Sequence, residues 1–177
     1  MSILVKNILR FVLLILVQFF VLDKVHLHYM VTPYIYYLFV LWMPFNTSRS
    51  WQMILAFLLG FTLDSFRHSP GFHAAACVLI AYLRPFLINI LIPQEGAEAN
   101  YEEPSARSLG GFVRYMIYTG LLTLVHHGWL FLLEAWNFAN FWYFVVKTLL
   151  STAISLLLIL IAEMLFARKQ KFRTNTM

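Results

Sequence analysis

The sequence predicts an all-α integral membrane protein of about six transmembrane helices, and three observations carry that prediction. Hydrophobic residues make up 61% of the 177-residue chain and charged residues 12%, with a mean hydropathy of +0.74. Soluble domains are nearer half apolar and a quarter charged. The apolar residues gather into runs separated by polar turns. The basic residues flank those runs, a pattern that orients membrane helices, so the net charge of +5 does not point to nucleic acid. One transmembrane domain over residues 1–177 accounts for the length, too short for an added soluble catalytic module. The single cysteine, Cys77, lies in an apolar run and reads as packing.

The first run, from about Ile8 to Leu22, follows Lys6 and Arg10. No small-residue cleavage site follows it, so it is expected as an uncleaved span, with Gln18 as an interhelical hydrogen-bonder. The second, roughly Tyr29 to Met43, is rich in tyrosine and ends at Pro44. The third runs from Trp51 to Leu63. Both are short for a hydrocarbon core about 30 Å thick, so they are tilted, extended into the interfaces, or partly re-entrant. The fourth opens with Ser69 as N-cap and Pro70 at the first helical position, and runs to about Ile92 with a kink at Pro85. A polar cytoplasmic loop over about 93–108 carries Glu95, Glu98, Glu102 and Glu103. The fifth span covers about Gly110–Leu133, the sixth about Phe141–Phe166, and a basic tail fills about 167–177.

Six spans put both termini on one side. With that side cytoplasmic, Lys6, Arg10, Arg49, Arg107, Arg114, Arg168, Lys169, Lys171 and Arg173 are inside, and Lys24 and Arg67 lie in outer loops, as the positive-inside rule expects. Trp129, Trp136, Trp142 and Tyr143 then form part of an outer aromatic belt. A five-span chain, with the second and third segments merged into one re-entrant pair, is the rival topology.

The stretch Gly60–Pro85, GFTLDSFRHSPGFHAAACVLIAYLRP, keeps ionisable groups in apolar surroundings, where each costs several kcal/mol unless it reaches water or a partner. Helical rise puts Asp64 about 20 Å from Trp51, near the outer interface. There it can fold back on the N-terminus of the next helix, whose free N–H groups stabilise a carboxylate. His73 is within reach. Asp64, Ser69 and His73 thus either pin a helical hairpin or also present a polar floor to a partner or ligand. Gly71 and Ala75, one turn apart, offer a small-residue face of the kind that lets membrane helices approach, with Gly60 opposite. Arg84, nearer the cytoplasmic end, is expected to snorkel.

This stretch, LLGFTLD followed by PGFHAAACVLIAYLRP, resembles the motif of the MreD family of rod shape-determining proteins. Gly60, Asp64, Gly71 and His73 stand at its characteristic positions. The family pattern often has a leucine-glycine pair before the histidine, where this chain has Gly71 and Phe72. The likeness extends over the whole chain in size, span count, acidic loop and basic tail. It implies a non-enzymatic inner-membrane subunit of the bacterial elongation machinery that binds MreC and, through it, the actin-like MreB and the synthase pair of RodA and its penicillin-binding transpeptidase. It also implies a fold similar to the substrate-binding subunits of energy-coupling-factor vitamin transporters, six helices around an outward-facing pocket. A membrane subunit that binds a small molecule in such a pocket is the alternative function, and a homo-oligomer stays open.

Elsewhere the sequence offers little chemistry. His126 and His127 point about 100° apart on a helix and are a poor pair of metal ligands. His127 and Glu134 share a helix face and read as interfacial polar groups. With Lys147, which would snorkel outward or else meet Glu134, or Asp64 and His73, at similar height, they are the candidates for a polar pocket. Glu163 is expected to pair near the tail. Tyr34, Tyr36, Tyr37 and Trp42 read as interfacial packing. No nucleophile–base arrangement, phosphate-binding glycine loop or metal-ligand spacing is present, so neither enzyme activity nor a cofactor is expected.

Overall fold

A computed structural model of the chain describes residues 3–24, 31–91, 103–135 and 141–165, and every element among them is helical. Helix α1 (Ile3–Leu16) runs on through a widened turn at Val17–Val21 and a tight one at Leu22–Lys24. Helix α2 is a single turn, Leu38–Leu41. Helices α3 (Arg49–Arg67), α4 (Phe72–Leu91), α5 (Phe112–Ala135) and α6 (Phe141–Leu165) complete the chain, each packed on the next. Among the described residues, four stretches are long and apolar enough to cross a membrane: Val5–Lys24, α4, α5 and α6. Glu95, Glu98, Glu102, Trp136 and the basic tail lie outside the described residues.

The distribution of side chains is that of a multi-pass membrane protein. Large apolar groups face outward, with Ile90 and Leu165 each 78% exposed, while Gln18, Gln52, Asp64, His73, Thr123, His126, His127, Ser151 and Ser155 are buried. In water such an outer surface would drive aggregation. In lipid it costs nothing, and polar side chains inside supply the helix-to-helix hydrogen bonds.

Contacts at the helix ends set the chain's direction. Asp23, at the end of α1, accepts from Arg67 Nε at 2.8 Å at the end of α3, and Asp64 meets the start of α4. Lys6 at the start of α1 pairs with Glu103 ahead of α5 at 3.0 Å. Tyr115 near the start of α5 donates to Glu163 near the end of α6 at 3.0 Å. So α1, α3 and α5 run one way, and α4 and α6 the other.

Two expectations about the second and third runs are corrected. Residues 31–43 form no long helix; only α2 is helical. Pro33 removes a backbone donor and biases Thr32 to extended geometry. Nor is the segment interfacial: Tyr34, Tyr36, Tyr37, Leu38, Val40 and Leu41 are at most 1% exposed. It threads the middle of the bundle from the level of Ser151 to that of Tyr115. The third run is not short either. Helix α3 has 19 residues, about 28 Å at 1.5 Å per residue, because it starts at a Ser48 cap (Trp51 N–H to Oγ, 3.4 Å) and continues through Asp64 to Arg67. Four polar residues, Arg49, Gln52, Asp64 and Arg67, hide its span from composition.

Non-helical backbone at membrane depth survives only where other groups satisfy it. Here side chains do so. Thr32 N–H donates to Ser151 Oγ at 3.1 Å and Tyr34 N–H to Ser155 Oγ at 3.0 Å. Gln18 takes Ile35 N–H on its oxygen at 3.0 Å and gives its amide to Pro33 C=O at 3.2 Å. Farther along, Tyr118 donates to Leu41 C=O at 2.8 Å. Arg84 closes the series at Met43 C=O, with Gln52 Oε1 at 3.0 Å and Tyr118 Oη at 3.1 Å as its other acceptors. Arg84 therefore does not snorkel: it is 1% exposed, held by neutral acceptors, with no carboxylate in ion-pair range among the described residues.

Candidate functional site: a polar hairpin, a tyrosine–histidine core and a small-residue groove

The α3–α4 hairpin turns through His68 at φ +55° and Gly71 at φ +94°. That left-handed geometry at Gly71 starts α4 at Phe72, so the expected Ser69 cap and Pro70 first position are corrected. The cap comes instead from α3. Asp64 Oδ2 accepts from Ala74 N–H at 2.8 Å, and Oδ1 from His73 N–H at 3.1 Å, Ser69 Oγ at 2.5 Å and His73 Nδ1 at 2.9 Å. The helix dipole adds to these bonds. Arg67 donates to His73 Nε2 at 3.3 Å, so the imidazole proton sits on Nδ1 and points at Asp64. Arg67 also donates to Tyr34 Oη at 2.9 Å and binds Asp23 through two nitrogens. One arginine thereby joins the ends of α1 and α3, the start of α4 and the threaded segment.

Beneath the hairpin the tyrosines of residues 34–37 meet the histidines of α5. Tyr36 Oη lies 2.8 Å from His126 Nε2, and Tyr37 stacks on His126 at 4.2 Å while donating to Thr123 Oγ1 at 3.2 Å. His127 donates from Nδ1 to Thr123 C=O at 2.9 Å, so its Nε2 accepts from Ser155 Oγ at 3.2 Å. Tyr34 packs against both His73 and His127 at 5.6 Å. Among the described residues, His126 Nδ1, Thr148 Oγ1 and Thr152 Oγ1 are buried without a hydrogen-bond partner.

The outer face of α4 forms the floor of an apolar groove of about 550 Å³. Gly71, Ala75, Val78 and Tyr82 line it, with Phe57 of α3 and Trp129 of α5 as walls. Ala75 is exposed there. Gly60 is not part of this face, which corrects the expectation that it lies opposite Gly71 and Ala75 in one contact. A Cβ on Gly60 would come within 2.6 Å of the His73 carbonyl carbon and closer to Ala74. Its role is to let α3 and α4 cross at backbone distance.

Of the residues expected to matter, Asp64, His73 and Ser69 come together as one cluster, and Gly71 and Ala75 share the groove. His127, Glu134 and Lys147 do not form one pocket. His127 is fully buried in the tyrosine core. Glu134 instead pairs with Lys147 at 3.0 Å, whose Nζ sits 4.2 Å from the Phe131 ring centre; Lys147 thus meets the carboxylate rather than snorkelling away. Sequence reasoning missed the half-buried Asp23–Arg67 pair and the three tyrosines as interior groups. The available signal was a tyrosine-rich run closed by Pro33 and Pro44, too short to be a lipid-facing helix. No family model, curated protein or solved structure matches the chain.

Proposed function

We propose that the chain is a non-enzymatic scaffold of the bacterial cell-elongation machinery. It crosses the inner membrane six times with both termini cytoplasmic, in a fold similar to the substrate-binding subunits of energy-coupling-factor transporters. In this reading the α4 groove receives the single transmembrane helix of MreC, a partner taken from the MreD-like motif, and so connects to MreB, RodA and its transpeptidase. The observation that carries the reading is the groove itself. It is apolar, open to lipid and floored by Gly71 and Ala75, and membrane helices associate by close van der Waals fit over small residues. A second reading, a small-molecule-binding transporter subunit, draws on the unpartnered His126, Thr148 and Thr152 atoms. It is weaker, because the interior polar groups converge on the chain's own residues 32–37.

Ala75 is the residue to test. At Gly71, φ of +94° strains any side chain and confounds packing with docking. Ala75 is exposed, so Ala75→Leu fills the groove and leaves the fold intact. The expected outcome is normal protein abundance, loss of MreC from material purified from solubilised membranes, and rounded cells. Abundant Ala75→Leu protein that still co-purifies with MreC and supports rod shape overturns this docking face.

A further inference from the structure

A second apolar groove, of about 460 Å³, runs along α1 between Leu9, Leu13 and Val17 on one side and Leu38, Trp42 and Ala162 on the other. Lys6 and Arg10 line it too, so one end is cationic and the remainder is hydrocarbon. We propose that this groove holds an acyl chain of an anionic phospholipid whose phosphate sits at Lys6 and Arg10.

Charge and depth both favour that occupant. Among the described residues, Lys6 Nζ at 3.0 Å and Arg10 at 2.7 Å share one oxygen of Glu103, so two cations meet one carboxylate at this end of the groove. Lys6 keeps 41% of its side chain exposed. Arg10 also covers the Trp42 ring at 5.5 Å, which places the guanidinium over the groove's mouth. The nearby carboxylate of Glu163 takes the Tyr115 hydroxyl and does not line the groove. From Lys6 to Val17 the groove spans about 16 Å of helix, roughly half of a hydrocarbon core about 30 Å thick. That is the depth of one leaflet, which suits an acyl chain anchored at a headgroup. The proposal stands independently of whether the α4 groove binds MreC.

The test uses the full chain in nanodiscs of equal phosphatidylglycerol and phosphatidylcholine, released into native mass spectrometry so that retained lipids are counted. Phosphatidylglycerol should be retained over phosphatidylcholine by about fivefold, the worth of one basic residue beside an anionic headgroup. Lys6→Ala should bring the ratio near parity, and Lys6→Arg should keep it. Leu13→Trp, which fills the groove, should release the lipid, and excess inorganic phosphate should not. Equal retention of both lipids by the unaltered chain overturns the proposal, as does a preference unchanged in Lys6→Ala. So does a lipid-free dimer that Leu13→Trp separates, which would make the groove an interface between copies.

Discussion

Asp64 illustrates how one carboxylate can hold a helix turn together without reacting. All four of its partners donate: two backbone N–H groups, a hydroxyl and an imidazole N–H. Asp64→Asn keeps one acceptor oxygen, and with that oxygen at the Oδ1 position only the Ala74 N–H loses its partner. Asp64→Leu strands every donor, each at about 1–3 kcal/mol when buried. Thermal unfolding in detergent should therefore rank the unaltered protein above Asp64→Asn, and Asp64→Asn well above Asp64→Leu. Under the proposed scaffold function, cell-shape complementation should follow the same order. If both variants remain as abundant as the unaltered chain yet lose function equally, the negative charge itself is required and a purely structural role is wrong. Arg84 makes the complementary point. A buried guanidinium surrounded by Met43 C=O, Gln52 and Tyr118 spends its donors on neutral oxygens that the threaded segment would otherwise leave bare.

At the scale of elements, the segment 31–43 depends on α1 and α6 more than on its own propensity. Gln18 supplies both a donor and an acceptor to it, so Gln18→Leu leaves Pro33 C=O and Ile35 N–H without partners, at about 1–3 kcal/mol each. Gln18→Glu keeps an acceptor for Ile35 but loses the amide donor and sets a second carboxylate near Asp23. Both variants should lower the unfolding temperature and open buried Cys77 to thiol reagents, with Gln18→Leu the stronger; an unreactive Cys77 in Gln18→Leu would mean the segment is held by other contacts. The extent to which the sequence discloses these elements follows from their physics. Helices α4, α5 and α6 stand close to their expected bounds because long apolar runs with Gly and Pro punctuation define them locally. The hairpin was legible as well, since an aspartate a few residues before a helix start has few other uses in lipid. The threaded segment was not, because tyrosines look alike at an interface and in a core. What buries them are Ser151, Ser155 and His126, over a hundred residues away for the two serines, and no local pattern carries that pairing. For the same reason Arg84, in the fourth turn of an apolar helix, read as a snorkelling side chain, because its acceptors come from three other parts of the chain, Met43, Gln52 and Tyr118.

The whole molecule inverts the soluble arrangement, with hydrocarbon outside and a connected polar interior from Asp23 through Arg67, Tyr34 and His73 to Asp64. That interior explains why α3, poorest in apolar residues among the long helices, sits where it does: its polar ends face Asp23 at one level and Arg84 at the other. The directions of the helices then make a definite topological demand. If the threaded segment and α3 each cross, Arg49 and Arg107 share one side of the membrane with both termini, and His68 lies on the other. Single cysteines at these three positions in a Cys77→Ala background, labelled with an impermeant reagent in intact cells and after lysis, read this directly. His68 should react in intact cells, and Arg49 and Arg107 only after lysis. Reaction of Arg49 and His68 from the same side would mean that α3 does not cross, leaving residues 31–67 as a re-entrant pair and four crossings, Val5–Lys24, α4, α5 and α6, with Met1 and Met177 still on one side.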